Sequence, residues 1–320
     1  MEQGANMVTT RTEVTLGSLK GNARRRRKEA VIKAALVGAA GFSLAISIAI
    51  VLALAGEAFV FLSKVDLSSL WSGVWSPRRG DFDIPTLVIG TLWVAMIAMT
   101  IAGPLGLGAA MYLSEYASPK TRRRLKPIIE TLASIPSVVL GYFALQVINP
   151  QIVQNLMGAT STFTIMAAGI GVGILTIPLV ATVAEDAMHA VPAALREAAY
   201  GIGAKRRTVT IRVVFPAAIS GIFAGLILGF SRAIGETMVV ALAAGATGQA
   251  PRRYNPLEPG QTMTGAIASL AIGSDSVKSA DVNAVNPFTA LYFVGLLLFV
   301  ITFGLNILSE RFVRRVRRNF

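Results

Sequence analysis

The chain has 320 residues, of which 53% are hydrophobic and 15% charged, with a mean hydropathy of +0.61. Soluble domains carry about 25% charged residues, so this composition excludes an ordinary soluble enzyme. The net charge is +13, but a single His189 and no cysteine exclude disulfides, thiol redox chemistry and thiolate or histidine-rich metal sites.

Residues 1–30 are polar, basic and without apolar periodicity, and read as a cytoplasmic arm. The first apolar segment covers 31–55. The basic run at 24–28 ahead of it also suits a signal peptide, with Ala53-Leu54-Ala55 as a cleavage site. A run of 25 residues nevertheless exceeds the usual signal core of about 7–15, so an uncleaved span is expected. An outer loop follows at 56–83. Its Glu57, Asp66, Asp81 and Asp83, beside Arg78 and Arg79, read as a solvated charged loop, with contact to a substrate-binding protein as the alternative.

The second segment begins with thirty uncharged residues, 84–113; a helix needs about 20 to cross the hydrocarbon core. Gly103-Pro104 predicts a kink within it. Further segments lie at 127–148, 162–184, 217–245 and 288–308, with a second outer loop at 246–287. Pro136 predicts a kink in the third, and Ser137 at that break is a candidate pathway hydroxyl. Gly221, Gly225 and Gly229 line one face of the fifth, and suit close packing within the chain or against a partner permease. A membrane barrel would show alternation in segments of about ten residues. The expected fold class is therefore an all-α polytopic membrane protein with six transmembrane helices.

Orientation follows from the basic residues. Twenty-three Lys and Arg fall on the side of the N-terminal arm, the 120–126 connection, the 185–216 connection and the tail; six fall on the other side. By the positive-inside rule both termini are cytoplasmic. Basic clusters beside spans, with no interleaved aromatics, argue against nucleic acid as a partner and for a membrane lipid surface.

The connection 185–216 predicts a short helix from Pro192, with Ala193, Ala194, Leu195, Glu197, Ala198 and Ala199 helix-favouring, stopped by Gly201 and Gly203. A second helical run leads through Val213-Val214-Phe215-Pro216 into the fifth span. Glu197-Ala198-Ala199, Gly203, nine further residues and then Val213-Val214-Phe215-Pro216 resemble the permease signature of ABC importers. Val213 and Phe215 replace the family's Ile and Leu. The resemblance implies a type I permease fold with a domain at 31–318. It also implies that this loop is a coupling helix inserted in a groove of a separate ATPase, with Glu197, Ala198, Ala199, Gly203 and Pro216 as the coupling residues. No phosphate-binding Gly-x-x-x-x-Gly-Lys-Ser/Thr loop occurs in the chain. The chain itself is expected to be no enzyme and to hold no metal or cofactor; ATP and Mg belong to the partner ATPase.

Arg232 lies fifteen residues beyond Ala217, about 22 Å along a continuous helix. An arginine at that depth costs about 2.5–3.5 kcal/mol on insertion scales and is functional by default. Glu236, four residues on, is expected to share its face and pair with it, with Ser231 and Thr237 nearby. Guanidinium donors suit an oxyanion. The carboxylate would keep Arg232 from trapping the anion and would accept a hydrogen bond from protonated phosphate, which sulfate cannot donate. A buried pair that only fixes packing is the alternative. Arg232-Ala233-Ile234-Gly235-Glu236-Thr237 is similar to a segment of phosphate importer permeases. Met238 to Leu242 and Pro259-Gly260-Gln261-Thr262-Met263-Thr264 favour the PstC-type subunit, and residues 111–116 and 133–142 match the same family.

The resemblance implies an ATP-driven phosphate importer. Its other parts would be a PstA-type second permease subunit, an ATPase dimer and an extracytoplasmic phosphate-binding protein, with the whole in the bacterial inner membrane. Sulfate, molybdate or tungstate are the alternative cargoes. A secondary transporter using Arg232 and Glu236 for proton coupling, and a regulatory partner that senses phosphate, are the rival classes.

Overall fold

A computed structural model describes residues 23–245, 255–273 and 286–318. The arm before residue 23 lies outside the described residues, as do two stretches of the connection 246–287 with Arg252, Arg253 and Lys278. The described residues divide into two units, one up to residue 53 and one from residue 54.

In chain order, α1 (Ala23–Lys64) is followed by the antiparallel pair β1 (Trp75–Ser76) and β2 (Asp81–Phe82), then by α2 (Ile84–Met111) with a π-helical end at Tyr112–Tyr116. Next come α3 (Pro119–Leu132), α4 (Ser137–Phe143), a π-helical stretch Ala144–Gln154 and α5 (Asn155–Met157). α6 (Ile165–His189) leads to α7 (Ala193–Gly201), α8 (Arg206–Val209), the π-helical Thr210–Val214 and α9 (Phe215–Ala217). The remainder is α10 (Ile219–Ile234), α11 (Met238–Ala243), α12 (Met263–Ile272) and α13 (Pro287–Arg318).

Among the described residues, four helical stretches are long and apolar enough to cross a membrane: 27–64, 84–116, 165–189 and 287–311. The third and fifth expected segments are not single helices. Residues 119–132 and 137–157 meet at 82°, and residues 206–217 and 219–234 at 72°, so six spans exist only if each bent pair counts as one. Pro136 causes the first break: it lacks a donor N–H, disfavours helix at Ile135 and adopts an extended φ −57°, ψ 131°. The expected kink is thus a full interruption, whereas α2 runs through Pro104 as one helix. The first apolar helix also extends nine residues past the expected end at 55. Phe61 there packs on Phe82 at 5.1 Å and on Phe293 at 5.2 Å, between ring centroids.

The α2–α6 pair is the centre of the second unit. A Cβ on Gly169 would come within 2.7 Å of Ile97, and one on Gly106 within 2.9 Å of Val180, so side chains larger than hydrogen would force the helices apart. Gly221, Gly225 and Gly229 of α10 face Ala187, Val183 and Val180 of α6. That glycine stripe therefore packs within the chain. One hydrophobic core sits between α2, α4, α6 and α11, a second around Phe61, Trp75, Phe82 and α12, and a third under α7.

Within the segment 246–287, residues 255–273 are more than a surface connection. Gly260 N–H donates to Ala244 C=O at 3.0 Å, Met263 N–H to Thr91 Oγ1 at 3.0 Å, and Gln261 is 1% exposed against Gly90. Its described part, 255–273, is folded into the bundle.

Candidate functional site

The connecting helix α7 is built by its termini. Pro192 is its N-cap rather than its first helical residue. At the other end Gly203 adopts φ +81°, its N–H donates to Tyr200 C=O at 2.9 Å, and Ala204 N–H donates to Ala199 C=O at 3.1 Å. This reciprocal pair with a left-handed glycine is a Schellman cap, and it turns the chain sharply. Gly203 alone is the stop; Gly201 is the last helical residue. One face of α7 buries Ala199 in the third core, with Val209 and Val214. The opposite face is open: Glu197 and Ala198 are exposed, and so are Leu195, Tyr200 and Ile202, the last at 87%. Pro216 lies in α9, two residues before Ala218, where the chain bends by 72° into α10. Glu185 to His189, expected in the connection, are the last turns of α6.

Two charged clusters fix this end of the molecule, and sequence reasoning assigned neither. Arg196 of α7 reaches Glu115 at the end of α2, Nη2 to Oε1 at 2.9 Å. Its guanidinium also donates to the carbonyls of Val191 at 2.6 Å and Met188 at 2.8 Å. Glu115 is buried, so the guanidinium both neutralises it and ties down a carbonyl at the end of α6 and another in the connection after it. The second cluster joins α3 to α6. Lys126 Nζ donates to Glu185 Oε2 at 2.6 Å and Asp186 Oδ1 at 2.8 Å, and Arg122 pairs with Glu185 and approaches His189 Nε2 at 3.2 Å. Arg206 also stands over the Tyr116 ring at 5.2 Å. The only sequence signal for these pairs was acidic residues at the ends of apolar segments, which carries no partner information.

The anticipated pathway residues lie at a helix break. α10 ends at Ile234, so Arg232 and Glu236 are not successive turns of one helix, and no ion pair joins them among the described residues. The reason is local: Gly235 C-caps α10, and Glu236 turns back so that its Oε1 accepts from the N–H groups of Met238 at 3.2 Å and Val239 at 3.4 Å. Arg232 is exposed on the surface of the single chain. Ser231 Oγ donates to Asn306 Oδ1 of α13 at 2.9 Å, while Thr237 Oγ1 donates to Gly235 C=O at 3.3 Å. Thr264 Oγ1 donates to Glu236 C=O at 2.8 Å, so the 259–264 and 232–237 motifs meet in space. Ser137 is half-buried at the start of α4 and has no hydrogen bond to this group among those resolved. It is linked through its helix: a Cβ on Gly141 would come within 3.0 Å of Val239 and 3.1 Å of Met238 C=O.

Of the outer acids, Asp83 is not solvated. It is 3% exposed, N-caps α2 through Thr86 N–H at 2.9 Å and accepts from Gly73 N–H at 3.0 Å. Asp66 caps the turn Leu67–Trp71, and the N–H and hydroxyl of Ser68 hold its carboxyl below the usual carboxylate range.

A set of long apolar helices and two bent helix pairs, with a capped helix projecting from its connections, defines a multi-pass membrane protein. The chain belongs to the family described as binding-protein-dependent transport system inner membrane component, whose model matches residues 102–318. It is similar to the phosphate transport system permease protein PstC of Pasteurella multocida, at 30% identity over 279 residues, covering 80% of this chain and 82% of that one. It is likewise 30% identical over 264 residues to a probable ABC transporter permease protein of Bacillus subtilis, covering 82% of each. Among solved structures, a chain of a bacterial alginate ABC transporter superposes with a TM-score of 0.63 at 14% identity, covering 92% of this chain and 97% of that one. A chain of a methionine ABC transporter gives 0.53 at 17% identity, covering 78% and 97%. These two likenesses bear on the fold alone. The protein is an ABC importer permease and not itself an enzyme.

Proposed function

We propose that this chain is the PstC-type permease subunit of an ATP-driven phosphate importer. Support for phosphate comes from the phosphate transport names of relatives at about 30% identity across some four-fifths of the chain. The observation that carries the mechanism is the α7 arrangement. Its inner face is welded to the bundle by Ala199 and Arg196, while Leu195, Tyr200 and Ile202 stand open beside Glu197. A short rigid helix with one anchored and one open apolar face suits insertion into the groove of a second protein. That protein would be the ATPase subunit, present as a dimer and carrying ATP and Mg. Motion of its groove would then move α7, and through Arg196 the ends of α2 and α6.

On this reading both termini are cytoplasmic, six spans cross the inner membrane, and a PstA-type permease faces the exposed Arg232. Arg232 supplies fixed donors to the anion, and Ser231 and Thr237 line the same break. Glu236 holds the break open by capping α11 rather than by neutralising Arg232. An extracytoplasmic phosphate-binding protein delivers cargo. The test is uptake of labelled phosphate into vesicles holding the assembled complex, with ATP inside and sulfate and molybdate as competitors. Phosphate uptake resistant to both competitors supports the assignment; preferential loss to either reassigns the cargo.

A further inference from the structure

We propose that Glu185 is a positioning residue that transmits movement of the coupling helix to the helix break at residues 235–237, by tying α3 to the end of α6. This inference rests on the permease reading above.

Its placement is costly. Glu185 and Asp186 sit in the C-terminal turns of α6, where the helix macrodipole disfavours negative charge. Glu185 is only 1% exposed, and a buried carboxylate is tolerated only with close cationic partners. Both partners come from α3, about sixty positions away in sequence: Arg122, and Lys126 at 2.6 Å. No residue of α3 is fully buried, and only Leu125 and Ile129 are half-buried among its apolar side chains, so its apolar anchorage is slight. The charge cluster is therefore the principal side-chain tie between α3 and α6.

Both ends of that link lead to functional elements. On one side, Arg196 of α7 binds the carbonyls of Met188 and Val191, directly beyond Glu185 on α6 and the connection after it. On the other, α3 continues through the 82° break at Pro136 into α4. α4 packs through Gly141 on Val239 and Met238 of α11, whose first N–H groups are held by Glu236. The relay is thus α7, the end of α6, Glu185, α3, α4 and α11. The junctions other than Glu185 are covalent connections, a close-packed glycine and hydrogen bonds to main-chain groups. Glu185 is the junction at which two charged side chains of a separate helix donate to one buried carboxylate, which lets it transmit force with little apolar contact to repack.

The experiment uses the assembled complex in vesicles and reads phosphate imported per ATP hydrolysed, together with the amount of complex. Glu185→Gln keeps the volume and removes the charge. It should lower the ratio by about fivefold or more, the scale of a coupling free energy between sites, while ATP hydrolysis continues. Glu185→Asp should recover part of the ratio. Lys126→Gln, at a partly exposed position, removes one partner only and should lower the ratio less, which covers the case in which Glu185→Gln does not assemble. An unchanged ratio per assembled complex in Lys126→Gln and in any Glu185→Gln that assembles overturns the proposal, because a cluster that only supports folding changes the amount of complex and not its coupling. Failure of the phosphate reading appears separately, as wild-type complex that does not import phosphate; the same ratio is then read with the oxyanion that it does import.

Discussion

Arg196 and Glu115 lie 81 positions apart and meet at 2.9 Å, joining the exposed helix α7 to the end of the central helix α2. Glu115 is 7% exposed, so the pair is not an ornament of the surface. Removing one partner of such a pair leaves an uncompensated buried charge, at about 3–5 kcal/mol. Arg196→Ala should accordingly loosen α7 and the end of α6 together, because the same guanidinium serves the carbonyls of Met188 and Val191. Glu115→Gln should be milder, since those carbonyl bonds survive. Hydrogen exchange of residues 190–204 reports both; equal protection in wild type and Arg196→Ala contradicts the anchoring role.

Gly203 makes a graded test of the turn after α7. A Cβ there would meet nothing within 4 Å, so the obstacle is φ +81° and not space. Non-glycine residues in that region cost about 1–3 kcal/mol, and asparagine least. Uptake and binding-protein-stimulated ATPase activity should fall in the order wild type, Gly203→Asn, Gly203→Val. Normal activity in Gly203→Val would remove the turn from the coupling mechanism.

Arg232→Gln should abolish phosphate uptake while assembly persists, because its exposed side chain has no ion pair among the described residues to lose. Glu236→Gln should act differently. The amide oxygen can still accept from Met238, so the break survives with a weaker, uncharged cap and uptake should fall only partly. Measured uptake per assembled complex decides; an Arg232→Gln complex that imports normally leaves this residue without a pathway role.

The turn at Asp66 gives a pH test. The carboxyl is held below its usual range by the N–H and hydroxyl of Ser68, so its contribution is present above the ordinary aspartate range and is lost as pH falls through the depressed value. The Ser68 amide resonance should titrate with a midpoint below that of an ordinary aspartate, and Asp66→Asn should remove the titration. A midpoint at the ordinary value contradicts the hydrogen-bonded carboxylate.

By itself the sequence determined what bulk partition and local chemistry dictate. Long uncharged runs at 84–113 and 162–184 must be helices in lipid, and α2 and α6 are found there. The spacing of Glu197, Gly203 and Pro216 marked a short helix, a sharp turn and a re-entry, because a left-handed glycine cap is a property of a few adjacent residues. Hydropathy is blind to direction, and that is where the reading fell short. The apolar segment 127–148 read as one span with a kink at Pro136 and 217–245 as one continuous helix, yet Pro136 and Gly235 divide them.

Only the tertiary structure decided the pairings. Arg232 and Glu236 looked like neighbours because a helix was assumed to continue between them; Glu236 instead caps the next helix and receives Thr264 from a segment read as loop. The partners of Glu115 and Glu185 come from 81 and about sixty positions away. A buried carboxylate announces that it needs a cation, but many arginines and lysines in this chain could answer. Which one does depends on how α2, α3, α6 and α7 close on one another; glycine-thin contacts bring α2 and α6 together, and no local signal foretells the rest.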